Sequence, residues 1–108
     1  MVKIHYNGEE LQLVQSRYQN NSALYIGLAD KDGELYGDVT VNLPISGTLP
    51  SNCAFVDSNN LPNEIIGELL SANIIVPICQ SCRSGFCLYL AYRFTCLSDI
   101  KDILAVVK

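Results

Sequence analysis

Apolar and polar residues alternate with a period of two through much of the first half of the chain. Leu24, Ile26 and Leu28 alternate with Tyr25, Gly27 and Ala29. After the turn-forming run Asp30-Lys31-Asp32-Gly33, Leu35, Gly37, Val39, Val41 and Leu43 continue one face, against Tyr36, Asp38, Thr40 and Asn42 on the other. Successive side chains of a strand point to opposite faces, so this pattern predicts a hairpin in an antiparallel sheet with one apolar face. Upstream, Val2–Tyr6 and Leu11–Tyr18 read as strands joined at Asn7-Gly8, two residues that tolerate the positive φ a tight hairpin requires. Gln19-Asn20-Asn21-Ser22 is a second polar turn.

The pattern changes after Leu43. Pro44, Pro50, Gly47, Ser46 and Ser51 make residues 44–52 an irregular connection. Cys53-Ala54-Phe55-Val56 reads as a short buried strand, ended by Asp57-Ser58-Asn59-Asn60. From Leu61 to Ala72 the period lengthens: Ile65, Ile66, Leu69 and Leu70 form one stripe, with Leu61 a turn earlier. Asn60 suits the cap, Pro62 the first turn, Glu64 the positive end of the dipole, and Asn73 the stop. The helix is expected to lie on the apolar face of the sheet.

Ile74-Ile75-Val76 starts another strand, which Pro77 limits or marks as an edge. Cys79–Gly85 reads as a polar loop, and Phe86–Cys96 as a long strand apolar enough on both faces to be central and covered. On it, Phe86, Leu88, Leu90, Tyr92 and Phe94 oppose Cys87, Tyr89, Ala91, Arg93 and Thr95. In the tail, Ile100, Ile103, Leu104 and Val107 fit a helix capped by Ser98, although Ile103–Val107 alone also fits a strand; the helix is preferred. The expected class is α+β: a mainly antiparallel sheet, one central helix packed on it, a short C-terminal helix, and a single domain over residues 1–108.

Composition narrows the function classes. Hydrophobic residues make up 49%, enough for one core, while charged residues are only 17%, which favours self-association and makes a homo-oligomer one expectation. A net charge of −4 without a basic run argues against general nucleic-acid binding. No apolar stretch approaches the roughly 20 residues that cross a bilayer, so no membrane association is expected. Met1–Tyr6 lacks a signal-peptide core, so a cytoplasmic location is expected. Five cysteines, an odd number, then read as reduced thiols.

Candidate chemistry is sparse. Cys79 and Cys82 form a C-x-x-C pair, a spacing that lets two thiolates share a zinc ion, with Cys87 and Cys96 as further donors. No second C-x-x-C completes the set, and a thioredoxin-like use needs a strand-to-helix setting, so small apolar fillers are the preferred reading. His5 stands alone on a terminal strand, and Asp30, Asp32 and Glu34 mark a hairpin tip. No cofactor is expected, and the chain does not read as an enzyme. The richest cluster is Arg83-Ser84-Gly85-Phe86, with Tyr89, Tyr92 and Arg93 on the strand that follows. A guanidinium beside the N–H groups of a glycine turn suits an anion, and an adjacent ring suits stacking. Asn59, in the second polar cluster, is able to read a ligand's hydroxyls, although helix capping is the simpler use of that turn.

Three stretches stand out together: Tyr6-Asn7-Gly8-Glu9-Glu10; Asp38–Leu43 through Leu49-Pro50 to Cys53–Asn60; and Arg83–Tyr89 with Tyr92-Arg93-Phe94. In combination they resemble one family of small uncharacterised proteins, a domain of unknown function carried by Firmicutes, their plasmids and their phages. The resemblance covers roughly residues 1–95 and rests on the T-V-N-L, D-S-N-N and R-S-G-F elements in combination. It carries no activity to transfer. What it implies is a setting: small acidic proteins on mobile elements often antagonise host defence, by blocking a defence protein or by sequestering a nucleotide second messenger. A phage or mobile-element counter-defence protein is therefore the expected function. The alternatives are a homo-oligomeric structural or regulatory domain without a small-molecule ligand, and a small zinc-binding module.

Overall fold

A computed structural model describes residues 2–103. Asn7 (φ 54°) and Gly8 (φ 79°) both occupy the left-handed region, so the chain reverses within two residues. Strand β1 (Lys3–Tyr6) thereby pairs antiparallel with β2 (Glu9–Arg17), Tyr6 opposite Glu9. β2 pairs with β3 (Leu24–Ala29), Leu13 opposite Leu28. The turn after β3 is held by Asp30, whose Oδ1 accepts the amides of Asp32 (2.9 Å) and Glu34 (3.0 Å). β4 (Leu35–Asp38) then returns beside β3.

The alternation over residues 35–43 predicts one continuous strand. The chain instead changes sheets at Val39, which is why Val39 and Thr40 are both buried in succession. The Val39 amide donates to Ile26 O (2.9 Å), and the Ile26 amide donates to Thr40 Oγ1 (3.1 Å), so the crossing leaves neither Ile26 group unpaired. β5 (Thr40–Val41) then pairs with β6 (Cys53–Val56). The second sheet runs β5-β6-β8-β7, where β7 is Ile75–Ser84 and β8 is Cys87–Phe94.

The main core lies between these sheets. Leu13, Ile26 and Leu28 come from the first, Val56 and Phe94 from the second, and Ile65 and Leu69 from helix α1 (Asn63–Ser71). The expected helix on the apolar sheet face, and the α+β class of mainly antiparallel strands, are what the structure has. The helix stops as its sequence predicts. Asn73 takes φ 57°, its amide donates to Leu70 O (3.0 Å), and the Ile74 amide donates to Leu69 O (2.9 Å). The start differs: Asn60 makes no cap, because its side-chain amide donates to Asp57 Oδ2 (3.0 Å), and Pro62 occupies the N-cap position. No helix among the described residues is long and apolar enough to cross a membrane.

Two other expectations are corrected. Cys79–Gly85 is not a loop, because β7 continues through Pro77 to Ser84. Pro77 is tolerated because β7 is the outer strand of its sheet, where a missing N–H costs no ladder bond. Two extra residues bulge out between Pro77 and Ser81, with Cys79 at φ 57°. The tail is not helical where it is described. A 3-10 turn (Leu97–Asp99) leads to β9 (Lys101–Asp102), which pairs parallel to β2. Gln15 decides this: its Nε2 donates to Leu97 O (2.7 Å) and Ile100 O (2.8 Å), and its backbone carbonyl accepts the Ile103 amide (2.8 Å). Residues 104–108, the rest of the expected tail helix, lie outside the described residues.

Candidate functional site

β7 and β8 reach beyond the core as a hairpin closed by Gly85 and Phe86, with Ser84 opposite Cys87. Gly85 takes φ 60° and Phe86 does not, which is the two-residue turn with glycine at its first central position. Phe86 at the tip is fully exposed. The next two residues on one face of β8, Leu88 and Leu90, are 50% and 46% exposed. Farther along that same face, Tyr92 and Phe94 enter the main core. The apolar row is therefore continuous, but the core covers only its inner half. Arg83 stands across from Leu88 and Ser81 across from Leu90, so a guanidinium edges the exposed row. Beside it, Pro77, Cys79 and Leu90 line a shallow hollow of about 180 Å³.

The opposite face of the hairpin is closed. Tyr89 and Ala91 pack with Leu43 and Phe55, and Cys82 and Cys87 border that cluster. Arg93 shares this face, opposite Cys53 and Val76. Burial pushes the Cys53 thiol above its usual range, and Arg93 partly offsets this.

The eight residues singled out from sequence thus divide. Arg83, Ser84, Gly85 and Phe86 form the hairpin tip. Arg83 and Arg93 lie on opposite faces and do not share one anion cradle. Tyr89 (8% exposed) and Tyr92 (9%) are buried in different clusters and offer no free ring for stacking. Asn59 sits in the exposed turn between β6 and α1. The covered central strand is correct for the inner half of β8 and incorrect for Leu88 and Leu90. That exposure was invisible in the pattern, since an apolar row reads the same whether or not anything lies over it. Among the described residues no three of His, Cys, Asp or Glu come together as a metal site. His5 is exposed, 3.6 Å from Glu10 Oε2, and its backbone amide is held by the Glu68 carboxylate of α1 (3.2 Å).

The quoted motifs also find physical roles. Thr40 carries the crossing between sheets. Asn42 joins a side-chain ladder, accepting from Asn21 Nδ2 and donating to Asn20 Oδ1 (2.9 Å each). Asp57 and Asn60 bond to each other at the foot of α1.

The chain belongs to a family described as a domain of unknown function (DUF4313), whose model matches residues 11–103. The match leaves out the Tyr6–Glu10 turn and extends through β9. No curated protein and no solved structure matches the chain.

Proposed function

We propose that this DUF4313 chain is a non-catalytic binding module that antagonises a host defence system by docking its β7–β8 hairpin on a defence protein in the host cytoplasm. The observation that carries this reading is the uncovered row Phe86, Leu88 and Leu90 at the end of a two-stranded arm. Burying what these three side chains leave exposed is worth about 4 kcal/mol, the scale of a binding hot spot. Charge describes the partner. The hairpin contains Arg83 and Arg93 and no carboxylate, while the rest of the chain has 5 basic and 11 acidic residues. A cleft with apolar walls and an acidic rim fits such an arm, and like-charge repulsion keeps the remainder of the protein off the same surface. The family resemblance supports the defence setting. The split of the two arginines between faces and the burial of Tyr89 and Tyr92 favour a protein target over a nucleotide.

Phage plating on hosts carrying single defence systems tests the reading. Expression of the protein should restore plating on at least one defended host. Phe86→Asp should abolish that rescue while changing stability by no more than about 0.5 kcal/mol, as for an exposed surface position. Rescue that survives Phe86→Asp, or its absence across the panel, counts against the proposal.

A further inference from the structure

A second feature lies away from the hairpin tip. A pocket of about 370 Å³ opens where the two sheets meet the start of α1, lined by Leu28, Tyr36, Asp38, Asp57, Leu61 and Ile65 among others. Among the described residues the lining holds two carboxylates and no lysine, arginine or histidine. Asp38 is exposed, and its Oδ1 accepts the Tyr25 hydroxyl at 2.7 Å. Asp57 is only 9% exposed. Its Oδ2 accepts from Asn60 Nδ2, but Oδ1 is buried and no donor among the described residues reaches it. The residue is also pinned at both backbone ends. Its amide donates to Val39 O (2.9 Å) and its carbonyl accepts the Leu61 amide (2.8 Å).

A buried carboxylate oxygen without a donor is costly, and a cation held in the pocket beside that carboxylate offsets the cost. The charge of the lining selects the ligand. The helix N-terminus at the rim offers about half a positive charge, against two carboxylates, so an anion is repelled and a cation is attracted. The walls choose between cations. Leu28, Leu61 and Ile65 are apolar, and the partly exposed Tyr36 is also in the lining. A guanidinium is flat, weakly hydrated and able to stack, whereas an ammonium is compact and strongly hydrated.

We propose that this pocket binds a guanidinium group, which pairs with the Asp57 carboxylate, with Asp38 as second counter-charge. The group belongs either to a free small molecule or to an arginine side chain of a partner protein. The inference uses no hairpin residue, so its failure and that of the docking reading are separable.

The test is a titration of ¹⁵N-labelled protein, following the amides of Asp57, Asn60 and Leu61. The probes are methylguanidinium, arginine amide, and a capped peptide with one internal arginine; lysine amide and citrulline amide are the controls. Saturable shifts confined to the pocket are expected with the guanidinium probes. Shifts from the peptide as well as the small probes assign a partner's arginine; shifts from the small probes alone assign a free ligand. Asp57→Asn should weaken binding at least about tenfold, as loss of a buried counter-charge does. If that variant folds poorly, the exposed Asp38→Asn provides the same comparison, with about a threefold weakening expected from loss of the outer counter-charge. The proposal is overturned by the absence of saturable shifts, by equal binding of either control, or by unchanged affinity in the folded carboxylate variant.

Discussion

At the scale of single residues, the junction between the sheets depends on a few polar atoms placed in an apolar core. Thr40 Oγ1 accepts the Ile26 amide and bonds Tyr18 Oη at 3.0 Å, with all three groups buried. Thr40→Val keeps the shape and removes both bonds, stranding a backbone N–H and a phenol, so it should cost about 2–4 kcal/mol in denaturant unfolding. A loss near zero would mean that water replaces the hydroxyl. Tyr25 is a second case. Its ring lies over Gly27, where an added Cβ would collide with the phenol oxygen, and this places the hydroxyl on Asp38, the cross-strand partner of Gly27. Burial comes first in raising the Tyr18 and Tyr25 phenols above their ordinary value, with the bond to Asp38 and its charge adding at Tyr25. A phenol whose folded pKa is raised contributes stability that is complete below its unfolded pKa and is lost as pH rises towards the folded one. Stability should therefore be level with respect to these groups up to about pH 10 and decline above it. Tyr25→Phe should make that alkaline decline shallower, which unfolding curves between pH 9 and 11.5 read directly.

Among the elements, legibility in the sequence followed local chemistry. The first hairpins were readable because Asn7-Gly8 and Asp30–Gly33 form their turns from their own atoms. The helix end was readable because Asn73 takes the left-handed conformation itself. What the pattern concealed was decided at a distance. The sheet change at Val39 depends on Ile26, thirteen positions earlier in the chain. β7 looked like a loop because Pro77 and the bulge at 78–80 break its alternation, yet its pairing with β8 resumes from Ser81 to Ser84. The tail has helical spacing, but the Gln15 side chain captures two of its carbonyls and holds it extended beside β2. Gln15→Ala should release this contact: amide exchange at Ile100 and Ile103 should speed up by about tenfold or more, while β3 and β8 stay protected. Uniform acceleration across the chain would show instead that β9 is part of the global unit. The candidate site was half legible for the same reason. The R-S-G-F tip is a local turn and was found, whereas the burial of Tyr89 and Tyr92 and the exposure of Leu88 and Leu90 depend on where the core ends.

For the molecule as a whole, the distribution of charge and apolar surface is uneven. One acidic body holds the main core between two sheets, and one arm free of carboxylates carries an apolar row out of that core. A sheet of this kind usually covers its apolar face or breaks it with charge, and among the described residues only Arg83 does so here. Self-association through the same row is the competing use, and it makes a distinct prediction, since the partner would then be a second copy. The most direct measurement is site-specific photocrosslinking in host cells, with a benzophenone-bearing amino acid at position 86 and, as control, at exposed position 64 on α1. The docking account predicts one dominant crosslinked host protein from position 86, absent from position 64 and lost when Leu88→Ser and Leu90→Ser are added. Crosslinks only to a second copy of the chain, or the same host proteins from both positions, would contradict it.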